Sequence, residues 1–434
     1  VSQPLGDFDT IIIGGGPGGS TAGALLARAG QRVLILEKET FPRFHIGESL
    51  LPFGNAVLEE SGAWEKVRAA GFMPKHGTEF MVGNASLFHR FWFRDGLFPE
   101  FSQAFQVERS KFDDLLLRHA AECGCDVRQN TAATRVELDE SGARVTFAGQ
   151  TTRARWLLDA SGRDTFVGRA LNLPKEQLDL PKRIAVFAHY EGVFRNDGEA
   201  AGHISIVRLA DGWFWLIPLD GRKTSVGMVC SLAGFKAAGG DAADCFEQTV
   251  AGSRELRPRL QLARRVGEFH TTSDYSYSYA TLAGPRFLLI GDAGAFIDPI
   301  FSSGVFIATK TGAMASRLIL HADARHRALT AREQNGYTRE VHRIRNIYLQ
   351  MIRTFYDNDS FAVFMHPVSG FRLVATINSI LAGNTQQRFG MWWRVQLFHL
   401  VCRLQQRVNM VEPLNFAEEE TVPAAVTPAG PAVS

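Results

Sequence analysis

The segment Gly14-Gly15-Gly16-Pro17-Gly18-Gly19 stands between the apolar run Thr10-Ile11-Ile12-Ile13 and a helical stretch from Ser20 to Ala29. Gly30 closes that helix, and a second apolar run, Val33-Leu34-Ile35-Leu36, leads into Glu37. Two apolar strands flanking one helix at this length form a βαβ unit, which needs a parallel sheet covered on both faces. The glycines have separate physical jobs. Gly14 makes the tight turn, Gly16 lets the backbone approach a diphosphate, and Gly19 lets the helix lie close on the sheet. The N–H groups at the helix start face the anion, while Glu37 accepts hydrogen bonds from an adenosine ribose. A lone GxGxxG is a weak signal whose bland alternative is a glycine-rich turn; strand, helix and acid in register make it a dinucleotide site.

With 434 residues and 45% hydrophobic composition, the chain can build two cores. Lys+Arg 47 against Asp+Glu 45 gives no basic field for nucleic acid, so a small organic substrate is expected. Five cysteines without a CxxC pair fit a reducing compartment, with Cys123 and Cys125 structural. The polar start from Val1 to Asp9 lacks the pattern of a signal peptide, and no apolar run reaches the roughly 18 residues of a transmembrane segment. These features predict a soluble, cytoplasmic protein. The twelve histidines show no metal spacing, and no metal is expected. Phenylalanine is abundant (32), much of it between residues 72 and 112 and in the last hundred residues, which suggests a large aromatic-lined interior.

Residues 132–158 alternate around Glu140-Ser141-Gly142 and Gly149-Gln150, as antiparallel hairpins do. From Arg183 to Ser278 the chain is rich in β-branched and aromatic residues, with turn signals at Asp211-Gly212 and Asp220-Gly221, which reads as a sheet-based substrate domain. Phe287-Leu288-Leu289-Ile290 returns as a buried strand, followed by a helical Val305 to Leu320. The expected fold class is therefore α/β. Residues 1–180 and 281–327 form a discontinuous cofactor-binding domain, 181–280 a β-rich substrate domain, 328–412 a helical C-terminal region and 413–434 a disordered tail. The aromatic stretch Gly390 to Leu400 is read as packed core ahead of a docking face, and Tyr275, Tyr277 and Tyr279 as a brace for the sheet near the cofactor.

Gly291-Asp292-Ala293 resembles the GD motif of the FAD-dependent hydroxylase superfamily, and Val107, Arg109, Phe112, Asp113 and Leu116 resemble another of its segments. Asp159-Ala160-Ser161-Gly162-Arg163 resembles a third. With the glycine loop these matches lie in the family's order over residues 8–320. The resemblance implies a Rossmann-like FAD-binding domain of the glutathione-reductase and p-hydroxybenzoate-hydroxylase type. It implies FAD held by Gly14, Gly16, Gly19, Glu37, Arg109 and Asp292, with Asp292 on the ribityl and ribose side and Arg109 beside the isoalloxazine or diphosphate.

Trp213-Phe214-Trp215-Leu216-Ile217-Pro218 is similar to the WxWxIP signature of flavin-dependent halogenases, which implies that Trp213, Trp215 and Pro218 wall the flavin from the substrate. An aromatic strand with both tryptophans on one face is the bland alternative. Lys75, in Gly71-Phe72-Met73-Pro74-Lys75-His76-Gly77, stands where that family carries its reactive lysine, although a single lysine is more often an exposed loop residue. Gly47-Glu48-Ser49-Leu50-Leu51-Pro52 resembles the family's GES segment over the flavin, with Ser49 packing on the cofactor. Asp298-Pro299-Ile300-Phe301-Ser302-Ser303-Gly304-Val305 precedes a helix whose N–H groups suit an anion. Here the resemblance implies that Ser303 and Gly304 bind halide.

Phe301 departs from the tryptophan-halogenase branch, which carries a glutamate there, and points to the branch acting on electron-rich phenols or pyrroles, free or tethered to a carrier protein. The implied chemistry combines FADH2, O2 and chloride or bromide into hypohalous acid, which Lys75 positions or stores for electrophilic substitution. No second dinucleotide fingerprint is present, so a separate NAD(P)H-dependent flavin reductase is the expected partner. The rival readings are an FAD-dependent monooxygenase, a reductase of the geranylgeranyl-reductase type, and a non-catalytic flavin-binding partner within a biosynthetic assembly.

Overall fold

In the computed structural model, residues 7–273, 276–366, 370–386, 389–414 and 416 are described. The strand Phe8–Ile13 leads into a helix over Pro17–Arg28, and Val33–Leu36 returns parallel to the first strand, Ile11 beside Leu34 and Ile13 beside Leu36. The helix begins at Pro17, earlier than the apolar pattern from Ser20, because proline's missing N–H costs nothing in a helix's first turn. The strand Gln150–Asp159 pairs parallel with Phe8–Ile13 along one edge. Its other edge is shared: the first half pairs antiparallel with Gly142–Phe147, and the end pairs parallel with Phe287–Leu289. The late strand thus rejoins the N-terminal sheet, as its unbroken apolar run predicts. Asp126–Arg128 and the hairpin strand Ala133–Asp139 complete this seven-stranded sheet.

A second seven-stranded sheet runs in the order Arg264–Ser273, Arg183–Glu191, Lys223–Ser231, Gly212–Pro218, Ile204–Leu209, Gly77–Val82, Phe88–Trp92. The last two fall within residues 1–180, grouped above with the cofactor-binding part, yet they pair into this sheet. Gly77–Val82 is buried throughout and lies parallel to Ile204–Leu209, a partner so distant in sequence that no local turn signals it. The span 181–280 also holds three helices, Leu232–Ala237, Ala242–Gly252 and Leu256–Leu260, which the strand-rich reading did not anticipate. They close one face, where Cys245, Phe246 and Leu256 pack with Val186, Phe214 and Val226.

The opposite face carries Trp213, Trp215 and Ile217 and packs on the C-terminal helices Ala331–Tyr356, Asn358–Met365, Leu373–Leu381 and Phe389–Gln405. The aromatic interior expected here is filled, not hollow. Phe80 lies 4.9 Å from Phe364 and 5.8 Å from Phe91, while Phe355 lies 5.0 Å from Phe361, mostly edge to face. The last helix buries Met391, Val395, Phe398 and Cys402 in this core but leaves Phe389, Trp392, Leu400 and Leu404 exposed, so only one of its faces is core. Among the described residues no single helix is long and apolar enough to cross a membrane. Tyr275 and most of the tail expected over 413–434 (residue 415 and residues 417–434) lie outside the described residues.

One helix contact positions the site. Gly304–Asp323 lies along Pro17–Arg28 so closely that a Cβ on Gly312 would come within 2.7 Å of the Gly18 carbonyl oxygen, and Ser316 Oγ donates to the Ala22 carbonyl at 3.3 Å. Gly312→Leu should force the helices apart, lowering stability by ~1–3 kcal/mol as overpacking does and weakening FAD binding in parallel. Thermal denaturation and a fluorescence titration with FAD check both effects.

Candidate functional site

The two helices named above begin side by side on one cavity of about 670 Å³, lined by Gly14 and Gly16 at the first helix and by Ser303 and Gly304 at the second. Neither helix start is capped by a side chain, so the first N–H groups of both remain available to an anion. Gly14 has φ 104°, in the left-handed region, and a Cβ there would collide with the Ala160 carbonyl. Gly16 is different. A Cβ built on it would meet only Arg43 Nη2, at 3.6 Å, because it faces the open cradle that a diphosphate would fill. Gly19 does not line the cavity; it seats the helix against Gly14, as the close-packing role requires.

Glu37 is buried in the cavity wall, and its Oε2 accepts from Gly15 N–H at 2.7 Å while Oε1 accepts from Glu39 N–H at 2.9 Å. It therefore ties the glycine turn to the second strand while keeping acceptor capacity toward a ribose. Arg109 is clamped by Asp113, with Nε to Oδ1 at 2.7 Å and Nη2 to Oδ2 at 2.9 Å, and donates through Nη1 to the Ile46 carbonyl at 2.7 Å. This bidentate pair holds the guanidinium against the cavity. Asp292 lines the same wall; burial pushes its carboxyl up to about 6, opposed by the charges of Arg109 and Arg163. Tyr277 donates to the Asp292 carbonyl at 2.7 Å, the bracing expected of the tyrosine stretch. An anion cradle, a carboxylate for ribose and a fixed arginine on one cavity fit FAD.

Trp213, Trp215 and Ile217 line the cavity, one face of a strand with period two. Pro218, read from the sequence as part of that partition, does not line the cavity: strand alternation puts it with Phe214 and Leu216 on the opposite face. Sequence reading also missed what holds Trp213. Its Nε1–H donates to Tyr356 Oη at 2.9 Å, and Tyr356 Oη–H donates to Asp298 Oδ2 at 2.7 Å. A buried tryptophan N–H needs an acceptor, which was the available clue, but the motif does not say which residue supplies it.

Lys75 is 1% exposed, at the end of the strand Met73–Lys75, and it does not itself line the cavity. Its Nζ donates to Ser49 Oγ at 2.8 Å and to the Leu50 carbonyl at 2.9 Å, and lies 5.3 Å from the Phe93 ring centroid. Ser49, which does line the cavity, therefore connects the two, with its hydroxyl turned to the amine. Among the described residues no carboxylate pairs with Lys75, and burial pushes its pKa down to about 7. Phe301 is buried between Phe80 and Phe355, at 6.3 and 6.2 Å.

The family model for tryptophan halogenases matches residues 9–94 and 93–361 of this chain. A 1H-pyrrole-2-carbonyl-(peptidyl-carrier protein) chlorinase of Pseudomonas fluorescens is 34% identical over 343 residues, 73% of this chain and 76% of that protein. A flavin-dependent brominase structure superposes with a TM-score of 0.82 at 30% identity, over 92% of this chain and 99% of that one. A flavoprotein/dehydrogenase from Cytophaga hutchinsonii reaches 0.85 at 27% identity, over 92% and 99%.

The buried amine generates a prediction about stability. Because the folded pKa of about 7 lies below the ordinary lysine value of 10.5, the unfolded chain binds the extra proton between those limits. Stability from this group therefore rises with pH from about 7 toward 10.5 and is lowest below 7. Lys75→Met should lack that rise: its Tm should equal or exceed the parent's at pH 7, with the gap shrinking by pH 9.5. Parallel slopes for the two proteins would contradict a neutral buried amine. Set beside the matched family model and the similarity to halogenating relatives over most of the chain, the cavity with its two helix starts, the tryptophan wall and the buried lysine make this chain a member of the flavin-dependent halogenase family.

Proposed function

We propose that this enzyme uses reduced FAD, O2 and chloride or bromide to halogenate an electron-rich acyl aromatic, of the pyrrole class, carried on a carrier protein, with FADH2 delivered by a separate NAD(P)H-dependent flavin reductase. The observation that carries this reading is the buried Lys75 amine, joined through Ser49 to the wall of the flavin-sized cavity. FAD, once bound and reduced, would supply the two electrons and two protons that, with one further proton, convert O2 and a halide into hypohalous acid and water.

The chain's own residues account for the rest. Gly16 and the helix start at Pro17 bind the diphosphate, Glu37 the ribose, and Arg109 with Asp292 the remainder of the cofactor. The N–H groups of the helix starting at Gly304 and the polar edge of Ser303 hold the halide. Trp213 and Trp215 keep the aromatic substrate off the flavin side, so that halogen crosses and oxygen transfer to the substrate is blocked. Lys75, substantially neutral near pH 7, has a lone pair that can take halogen from hypohalous acid with release of water, or an N–H that can hold the acid in place. Both roles need the amine form or its hydrogen bond, and both deliver the halogen from a fixed point.

Phe301 supports the choice of an electron-rich ring. Packed between Phe80 and Phe355, it offers no carboxylate to assist a less reactive arene. The name of the Pseudomonas fluorescens relative, a chlorinase of a carrier-bound pyrrole, supports the tethered form.

The test is incubation with a flavin reductase, NADH, FAD and either halide, offering pyrrole-2-carboxylate free and as its carrier-protein thioester beside free phenols and tryptophan. Mass spectrometry should show the halogen isotope pattern on the thioester and not on free tryptophan. Modification of free acids alone would contradict the tethered assignment, and oxygenated products without halogen would contradict the halogenase mechanism.

A further inference from the structure

Trp213, Asp298 and Tyr356 come from a strand, a turn and a helix far apart in sequence, yet a one-way chain of hydrogen bonds joins them. The indole N–H can only donate, the phenol does both, and the carboxylate accepts, so the order fixes each group's rotamer. The far end of the chain continues into the backbone. Asp298 Oδ1 accepts from Ile300 N–H at 3.0 Å and caps the turn Pro299–Phe301, and Ser302 N–H closes that turn on the Pro299 carbonyl at 2.9 Å. Ser302 is held at φ 55°, left-handed for a residue with a side chain, immediately before Ser303 and the helix start at Gly304. Such a conformation persists only where neighbours over-determine it. Arg183 lies with its guanidinium 4.1 Å from the Tyr356 ring centroid, its Nε and Nη1 are buried without a hydrogen-bond partner among the described residues, and its charge acts on the Asp298 carboxyl.

We propose that Tyr356 is a positioning residue for halide: by passing the hydrogen bond from Trp213 to Asp298 it locks the tryptophan wall to the turn that aims the Ser303–Gly304 N–H groups. The proposal rests on the reading of Ser303 and Gly304 as the halide site. Tyr356 does not line the cavity. Removing its oxygen leaves Trp213 Nε1 and Asp298 Oδ2 without this partner at once, and the turn loses the constraint on its left-handed residue.

Steady-state halogenation measured against halide concentration tests it. Tyr356→Phe should raise the halide KM about tenfold, while kcat at saturating halide stays within about threefold and FAD affinity stays near the parental value; Tm should fall, because two buried polar groups lose this partner. Trp213→Phe, which keeps a flat ring but removes the donor at the other end, should raise the halide KM similarly, and the double variant should show much less than the product of the two effects because they break one chain. An unchanged halide KM in Tyr356→Phe, a loss of kcat without a change in KM, or multiplicative effects in the double variant would overturn the proposal. Should Tyr356→Phe fail to fold, Trp213→Phe decides it by the halide KM alone: a raised KM supports the chain, and an unchanged one overturns it. Gly304→Val separates this from the underlying reading: it should raise the halide KM by filling the open helix start. A normal KM there would instead refute the halide site itself, whereas a raised one beside an unaffected Tyr356→Phe would refute only the chain.

Discussion

Everything in the site depends on how closely two helices approach. Pro17–Arg28 and Gly304–Asp323 meet where glycine faces glycine, Gly312 against the Gly18 carbonyl, with no room for a side chain between them. That contact brings two helix N-termini, neither capped by a side chain, onto one cavity. Each end carries roughly half a positive charge from its macrodipole. One end suits the diphosphate of a dinucleotide and the other a small anion, so cofactor and halide readings share one structural cause. The sheet supports this arrangement because Phe287–Leu289 returns beside Gln150–Asp159 and delivers the second helix to the first.

Much of that half of the molecule was legible in the sequence. Apolar runs buried on both faces read as parallel strands, and the glycine spacing reports steric needs that the backbone then shows, most directly at Gly14 and Gly19. Less legible were features set by partners distant in sequence. The pairing of Gly77–Val82 with Ile204–Leu209 carries no local signature, and the abundant phenylalanines count equally toward a lined cavity and a filled core. Pro218 was grouped with the tryptophans because it belongs to the same motif, although strand alternation alone puts it on the other face. The link from Trp213 through Tyr356 to Asp298 involves three elements that no spacing rule connects.

Lys75 shows how local sequence and tertiary placement combine. Its own segment suggests an exposed loop as readily as a reactive group, and the decisive fact is burial against neutral acceptors, Ser49 Oγ and the Leu50 carbonyl, with no carboxylate partner among the described residues. An ammonium in such a place has lost its water without gaining a counter-ion, which favours the neutral amine. The same desolvation that costs stability is what would give the proposed mechanism an unprotonated amine near neutral pH. Ser49 then has two duties, one side to the amine and the other to the cavity, which makes it the junction between cofactor chamber and lysine.

If the amine acts on halogen only after the reduced flavin has reacted with O2, the two stages must come apart when the amine is removed. Lys75→Ala, supplied with FADH2, O2 and bromide, provides the direct measurement, with O2 consumption followed beside halogenated product. FAD binding and O2 consumption should stay parental while halogenated product falls at least about a thousandfold, and Lys75→Arg should fail likewise because guanidinium stays protonated. Product formation by Lys75→Ala at a rate near the parent's would contradict the account and leave the buried lysine a structural residue.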